Sequence, residues 1–299
     1  MFLIEKPSYF MSANPKYVLN ISQHNINIYL RKTGELFRVL GKRNIQDPIT
    51  ACFIDQEQIL IKTRYAKYYL YNIIKDDLCF LLCFPEMGAE LTEPVLFPNG
   101  KFADYCYQYP DYTVYNKQQL FLAECCPSPT VINLNIDEKN DSGDIAEGFW
   151  GEKDELWVIK GPYLYCYSSI TGEMLHRILL SNGFVCPRLC YRDKKNLWGI
   201  YLTKDETPYI QNLNGKEKIL CQRSVNEVKG DGFLKIRLSL NRKYFLIVYL
   251  KKTSVYSLAS GQKVFEFIDP YNHFADFCDD DTALLIGTWK TGRIVNFLQ

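Results

Sequence analysis

Histidine is scarce in this sequence, and the residues that commonly bind metal ions are not grouped along it. The three histidines, His24, His176 and His273, lie in widely separated segments. The cysteines include no Cys-x-x-Cys pair of the zinc-binding kind, and no glycine-rich phosphate loop leads into a helix. We therefore expect neither a metal ion nor a cofactor in this protein.

The cysteines also lack the regular spacing of a disulfide framework. Eleven are present, an odd number, and most lie inside apolar stretches, as do Cys52, Cys106 and Cys166. Free cysteine behaves as a small buried hydrophobic residue, and disulfides are rare in reducing compartments. The pattern predicts free thiols and a cytoplasmic location.

Neither an excess of one charge nor a long apolar run is present. Lysine and arginine number 35 against 34 aspartate and glutamate, a net charge of +1, whereas nucleic-acid binding depends on a strong positive field. The longest apolar run, Leu78–Phe84, is far shorter than the roughly 18 residues of a membrane helix. The apolar start at Met1–Ile4 ends at Glu5 and Lys6, which argues against a secretory signal. We expect no nucleic-acid partner and no membrane insertion.

What the sequence does contain is a repeated pattern of a short apolar strand, a polar turn and a second, strongly apolar strand. The copies are spaced about 40 to 55 residues apart, which is the period of a propeller blade with four strands per repeat. The turns between the first two strands fall at Asn14-Pro15, Asp55-Gln56, Asn99-Gly100, Lys153-Asp154, Asp193-Lys194, Asn241-Arg242 and residues 279–281.

A second kind of turn separates a third strand from a fourth in several copies. It reads Thr33-Gly34-Glu35, Thr171-Gly172-Glu173 and Ser260-Gly261-Gln262. Glycine supplies the positive φ that such connections need. No amphipathic helix pattern of useful length is present, and β-branched and aromatic residues are frequent, so the sequence predicts an all-β fold.

These turns resemble those of WD40-type repeats across essentially the whole chain. Residues Tyr109–Tyr115 contain the Asp-x-Thr-Val strand start of that family, and Trp289–Arg293 resembles a relaxed form of its repeat ending. The family's Gly-His and Trp-Asp dipeptides are missing, so its internal hydrogen-bond set is not expected. The resemblance implies one all-β domain over residues 1–299, a seven-bladed WD40-like β-propeller whose ring is closed by the N-terminal strand, residues 1–6, in the last blade.

The predicted blades cover residues 7–41, 48–84, 93–126, 127–180, 185–222, 232–268 and 272–299 together with 1–6. The repeat pattern is interrupted at residues 127–144, which form a long connection. In its first half apolar and polar residues alternate as in a strand, and its second half is charged. Long connections on rigid scaffolds often carry function, and a solvated excursion explains the segment equally well. Six blades plus an insertion would also fit between Thr113 and Asp144.

The loops of one face carry the candidate binding site. In the propeller resemblance, this face collects the connections between blades and those between second and third strands. Tyrosine, tryptophan and arginine there are the residue types that anchor protein interfaces, although aromatic residues at such positions also pack between sheets. The candidate binding residues are Arg64, Tyr65, Tyr109, Asp111, Tyr271, His273 and Trp289.

We interpret the protein as a non-catalytic interaction scaffold or adaptor that holds another protein or a peptide, as a subunit of a larger complex. The alternative is a hydrolase or lyase acting on a small or sugar-like ligand in the central pocket, which requires two facing carboxylates. Acidic candidates for that role are Asp104, Asp111, Glu147, Asp205, Glu206 and Asp276, and no Gly-x-Ser-x-Gly nucleophile motif is present. An apolar outer blade edge would favour the larger assembly.

Overall fold

The computed structural model describes residues 2–89, 92–108, 118–136, 149–180, 187–193, 196–222, 232–278 and 281–298. Within these ranges the chain forms 29 β-strands and no helix. The strands are two to eight residues long. Short strands follow from the sequence, because Gly, Asn and Asp turns interrupt its β-branched and aromatic runs.

In chain order the strands are β1 (Phe2–Ile4), β2 (Phe10–Ala13), β3 (Tyr17–Ser22), β4 (Asn25–Leu30), β5 (Leu36–Leu40), β6 (Pro48–Phe53), β7 (Gln58–Thr63), β8 (Lys67–Asn72), β9 (Asp77–Cys83), β10 (Met87–Ala89), β11 (Val95–Leu96), β12 (Lys101–Gln108), β13 (Gln118–Glu124), β14 (Val131–Leu134), β15 (Phe149–Glu152), β16 (Glu155–Lys160), β17 (Tyr163–Ser168), β18 (Met174–Leu179), β19 (Leu189–Asp193), β20 (Asn196–Leu202), β21 (Pro208–Asn212), β22 (Lys218–Leu220), β23 (Phe233–Leu238), β24 (Tyr244–Tyr249), β25 (Lys252–Ser257), β26 (Lys263–Ile268), β27 (Asn272–Cys278), β28 (Ala283–Thr288) and β29 (Gly292–Asn296).

The strands form seven small antiparallel sheets, and the fold is a seven-bladed β-propeller, as predicted. Five sheets are four-stranded meanders in sequence order: β2–β5, β6–β9, β15–β18, β19–β22 and β23–β26. The third sheet has five strands, with the order β10-β12-β13-β14 and β11 beside β12. The seventh sheet has the order β1-β29-β28-β27.

The residues group into two compact units. Unit 1 comprises residues 1–23, 27–39 and 187–299, and unit 2 comprises residues 24–26 and 40–186. Unit 1 contains almost all of the sheet β2–β5, together with β19–β22, β23–β26 and the seventh sheet. The other three sheets lie in unit 2. The single domain over residues 1–299 stays a prediction.

The seventh sheet joins the two ends of the chain, as the sequence predicted. Strand β1 runs antiparallel to β29, with Phe2 opposite Ile294 and Ile4 opposite Gly292. The side chain of Ile4 is buried, whereas that of Leu3 is 47% exposed. This alternation is what a half-buried outer strand requires, and it explains why the first residues are apolar although no hairpin partner lies near them in sequence.

Just after β1, the chain packs tightly on the turn between β28 and β29. The Ser8 N–H donates to the Thr288 carbonyl oxygen at 2.9 Å. Cβ atoms on Gly287 and Gly292 would collide with the backbone and the hydroxyl of Ser8, respectively. Asn20 also holds Ser8 in place, because its Nδ2 donates a hydrogen bond to Ser8 Oγ at 2.7 Å. Glycine is therefore required on β28 and β29 by close approach of the Ser8 segment.

The third sheet differs from the prediction. Residues Val131–Leu134, expected in the fourth blade, form β14 at the edge of the third sheet, where Leu134 pairs with Leu120. Leu134 joins a buried cluster with Leu120 and Leu122, and this burial explains why the segment pairs with β13. The fourth sheet begins only at β15. The charged second half of the 127–144 connection, residues 137–144, lies outside the described residues.

Deleting residues 1–6 should destabilise the fold by about 3 kcal/mol, because the seventh sheet loses a strand and the buried Ile4 side chain. Chemical denaturation of the truncated and intact chains measures this difference. Leu3→Ala is the matched control, since its side chain is half exposed, and it should cost less than about 1 kcal/mol. An unchanged unfolding midpoint after the deletion would show that β1 does not hold the seventh sheet together.

Candidate functional site

The turn between β28 and β29 is held by one threonine. Thr288 Oγ1 accepts hydrogen bonds from the backbone N–H groups of Lys290 and Thr291, at 3.1 and 2.9 Å. The Trp289 N–H donates to the Tyr271 carbonyl oxygen at 3.0 Å, which ties this turn to the start of β27. The backbone at Trp289 and Tyr271 is therefore held in place, which fixes the points from which their side chains extend.

A buried asparagine fixes the other side of the site. Asn272 is fully buried, and its Nδ2 donates to the carbonyl oxygens of Tyr249 and Lys252 at 2.6 and 2.9 Å. Its Oδ1 accepts from Thr253 Oγ1 at 3.3 Å. Because every polar atom of this amide is engaged in the sheet β23–β26, the residues on both sides of Asn272 are held rigidly.

Three aromatic rings, those of Tyr9, His273 and Trp289, are in contact between these two anchors. The ring centroid of Trp289 lies 5.0 Å from that of Tyr9 and 4.8 Å from that of His273. Tyr9 and His273 are in edge contact at 6.1 Å. The Lys290 ammonium lies over the ring of Tyr271, 3.9 Å from its centroid. We name Tyr9, Tyr271, His273, Trp289 and Lys290 the aromatic cluster.

The aromatic cluster is accessible although it is ordered. Trp289 is 50% exposed and Tyr271 is 42% exposed. Below them, Phe10 and Phe274 are buried and in ring contact at 5.1 Å. Large rings that stand on a packed base and still present half their surface are typical of binding sites rather than of core packing.

His273 is the titratable ring of the cluster. Burial, and secondarily the positive charge of Lys235, lower the pKa of His273 from its ordinary value. The Lys235 ammonium lies 4.8 Å from the Phe274 ring centroid, on the packed base of the cluster. At neutral pH the His273 imidazole is therefore uncharged and acts as a planar aromatic surface with a hydrogen-bonding edge.

The structure brings together three of the seven predicted site residues: Tyr271, His273 and Trp289. Arg64 and Tyr65 lie in unit 2, in the turn between β7 and β8, where the Arg64 carbonyl oxygen accepts from the Ala89 N–H at 2.9 Å. Tyr65 is 41% exposed. Tyr109 and Asp111 lie outside the described residues.

Tyr9 belongs to the aromatic cluster and was not among the predicted site residues. It occupies the same place in the sheet β2–β5 that His273 occupies in the seventh sheet. Ser8-Tyr9-Phe10 and Asn272-His273-Phe274 each read as a buried polar residue, a partly exposed ring and a buried phenylalanine. Aligning the first strands of the blades would have revealed this match.

Unit 2 contains a second group of ionisable residues, which is buried. Lys62 Nζ lies 2.8 Å from Asp104 Oδ2, and both side chains are fully buried. Tyr68 OH donates to Asp104 Oδ2 at 2.9 Å, the Tyr105 N–H donates to Oδ1 at 2.8 Å, and Lys62 also donates to the Thr92 carbonyl oxygen at 3.0 Å. Burial raises the pKa of Asp104, while Lys62 and the hydrogen bonds act in the opposite direction. Asp104 is thus a structural carboxylate that links β7 and β8 to β12, and it is not open to substrate.

Two further groups bear on the catalytic alternative. Burial raises the pKa of the Cys106 thiol to about 12, so it is not a thiolate nucleophile at neutral pH. Asp276 Oδ2 lies 3.8 Å from Arg237 Nε. Among the residues that the structure describes, no three His, Cys, Asp or Glu side chains are grouped so as to hold a metal ion, and no helix could cross a membrane.

Replacing Lys62 by methionine should destabilise the fold by about 3–5 kcal/mol, because it leaves the Asp104 carboxylate buried without its cation. Urea unfolding measures the loss. The triple variant Lys62→Met, Asp104→Leu, Tyr68→Phe removes all three polar groups together and should recover most of it. A single Lys62→Met variant as stable as the wild type would contradict the burial of this ion pair.

The lowered pKa of His273 predicts that part of the stability is lost in acid. The folded pKa lies below the unfolded value near 6.5, so below that pH the unfolded chain binds the proton more readily and folding weakens. His273→Phe keeps a ring against Trp289 but cannot titrate. We compare the thermal midpoint of the wild type with that of His273→Phe at two pH values. The wild-type midpoint minus the variant midpoint should be lower at about pH 5.5 than at about pH 7.5. An equal difference at both pH values would contradict the lowered pKa.

Comparisons with known proteins support the fold and identify neither a family nor a function. No family model matches the sequence, and no curated protein matches it. Among solved structures, the chain is similar to the computationally designed Ika8 protein, at 9% identity, with 98% of this chain and 96% of that chain covered and a TM-score of 0.57. At this identity the likeness shows the shared architecture alone.

Proposed function

We propose that this protein is a cytoplasmic, WD40-like scaffold without catalytic activity, which holds another protein or a peptide as a subunit of a larger complex. The observation that carries the proposal is the aromatic cluster. In this proposal Trp289 and Tyr271 contact the partner directly, and neither nucleic acid nor a membrane is the ligand.

The residue types of the cluster support protein binding. Tryptophan and tyrosine dominate the binding energy of protein interfaces because each buries a large apolar area and has few rotatable bonds. Trp289 and Tyr271 are half exposed before any partner is bound. The Lys290 ammonium on the Tyr271 ring adds a cation at the rim, where charge aids specificity and association rate more than affinity.

The rigidity of the cluster supports the same proposal. Thr288 fixes the turn that carries Trp289, and Asn272 fixes the start of β27 beside His273. Binding to a preformed surface orders few side chains, so little of the interaction free energy is lost to conformational entropy. A scaffold acts in this way, since it presents a fixed surface and does no chemistry.

Cysteine usage supports the proposed compartment. All ten cysteines that the structure describes are free thiols, and Cys106, Cys166, Cys190 and Cys221 are buried. Disulfides form and persist in oxidising compartments, whereas free buried thiols are ordinary in the cytosol.

Trp289→Ala should abolish capture of a stoichiometric partner when the tagged protein is purified from its native cytosol and the co-eluting proteins are identified by mass spectrometry. We expect binding to weaken by at least about 2 kcal/mol, or about thirtyfold, because a central interface ring is removed. Tyr271→Ala should act in the same direction. Circular dichroism and thermal unfolding must show that each variant keeps its fold.

Phe80→Ala is the matched control for this experiment. Phe80 is an aromatic residue of comparable exposure, 52%, on the outer strand β9 of unit 2. It should leave partner capture unchanged. Equal retention of the partner by Trp289→Ala and wild type would remove the aromatic cluster as the binding surface. A partner lost with Phe80→Ala instead would place the interface on the outer strands.

A further inference from the structure

The outer strand β5 exposes apolar side chains on both of its faces. Leu36, Phe37 and Val39 are 46%, 40% and 44% exposed, and Phe37 and Val39 point to the side opposite Leu36. A sheet strand that faces water on one side ordinarily alternates apolar and polar residues. The pattern of β5 is therefore typical of a strand that is covered on both faces.

The outer edge of β5 is also open to pairing. The strand is the last in the order β2-β3-β4-β5, so among the described strands only β4 pairs with it. Its five residues contain no proline, and no strand residue has positive φ. Natural edges are usually protected by such features or by covering loops. Here a Cβ atom placed on Gly34, in the turn that leads into β5, would meet no described atom within 4 Å.

Two other outer strands of the propeller contact a turn of the next sheet. On β14, Ile132 and Leu134 lie against Gly172, the turn glycine of the next sheet in the chain. On β22, the Leu220 carbonyl oxygen lies against Gly261, the corresponding glycine of the sheet β23–β26. A turn of the next sheet thus contacts each of these two strands.

Basic residues lie on β5 and at the end where it begins. Lys16 and Lys32 are exposed, and Arg31 and Arg38 are half-buried. The Arg31 N–H donates to the Lys16 carbonyl oxygen at 2.9 Å, which holds these two basic residues at one end of the strand. Glu35 is the acidic residue of the segment 31–39, and its carboxylate accepts from Thr33 Oγ1 at 3.1 Å.

We propose that β5 binds an extended segment of another protein in which apolar residues alternate with aspartate or glutamate. The segment adds as a fifth strand, and its backbone pairs with the open edge of β5. Its apolar side chains cover Phe37 and Val39 on one face of β5, and its carboxylates lie on the other face and interact with the basic residues Lys16 and Lys32 at the end of the strand. This surface is separate from the aromatic cluster, and the proposal does not depend on it.

The charge argues for an acidic partner rather than a second copy of this chain. Pairing β5 antiparallel with itself would bring Arg38 of one copy opposite Arg38 of the other, and like charges across a strand pair are destabilising. A segment with alternating acidic residues replaces that repulsion by attraction at the same backbone positions.

A displayed library of random peptides of about twelve residues, selected on the intact chain, tests the proposal. Enriched peptides should alternate apolar and acidic residues. Measured by fluorescence anisotropy, their Kd should rise at least tenfold for Phe37→Ser, which removes apolar contact, and about threefold for Lys32→Glu, which reverses one charge. Amide hydrogen exchange of residues 36–40 should slow on binding, since strand pairing protects backbone N–H groups.

Two controls separate β5 from other surfaces. Leu175→Ser changes a 43% exposed leucine on the outer strand β18 and should leave Kd unchanged. Trp289→Ala should also leave the Kd of the peptides unchanged. Peptides that no longer bind the Trp289→Ala variant but still bind the Phe37→Ser variant would overturn the proposal. Enrichment of basic or uncharged peptides, unaltered amide exchange in β5, or a β5-dependent dimer of the chain in sedimentation would each overturn it as well.

Discussion

The hydrogen bond from the Ser8 N–H to the Thr288 carbonyl oxygen is the contact on which most of unit 1 depends. It forms only because β28 and β29 carry glycine at positions 287 and 292, where any Cβ would strike Ser8. The contact joins the first full sheet of the chain to the last, beside the β1–β29 pairing. It also sets Tyr9 against Trp289. Chain closure and the candidate site are therefore consequences of the same close approach.

Buried polar groups hold these sheets in register, although the family-type WD40 dipeptides are missing from the sequence. Ser8 and Asn20 form one such group, Asn272 with Thr253 a second, and Lys62 with Asp104 a third. The first fastens the segment before β2 to β3, the second and third each link strands of two different sheets, and all three leave little freedom in their hydrogen bonding. Because an unpaired buried polar group is strongly unfavourable, these groups select one packing of neighbouring sheets over near alternatives.

The sequence predicted seven sheets and the place of β1 because turn residues and apolar runs are local signals. It misplaced Val131–Leu134 in the fourth blade, because the alternating pattern of that segment does not show which sheet it joins, whereas burial of Leu134 against Leu120 decided the pairing. Within the site, Trp289 and Tyr271 could be predicted from their turns. Tyr9 was not placed beside them, because local periodicity does not report contacts of such sequence separation; the signal lay in the match between Ser8-Tyr9-Phe10 and Asn272-His273-Phe274 together with the predicted pairing of the chain ends.

The aromatic cluster and β5 have different chemistry, but one sheet connects them. Tyr9 immediately precedes β2, and β5 is the opposite edge strand of that sheet. Three strand spacings of about 4.8 Å separate the edges, or about 14 Å in total. This distance is fixed by the backbone ladder and does not change when either surface is occupied. A partner carrying both an aromatic-binding surface and an extended acidic segment would gain affinity from this fixed spacing, because its second contact is intramolecular. In a partner that bound both proposed surfaces, the four-strand sheet would set the distance that its two binding elements must match.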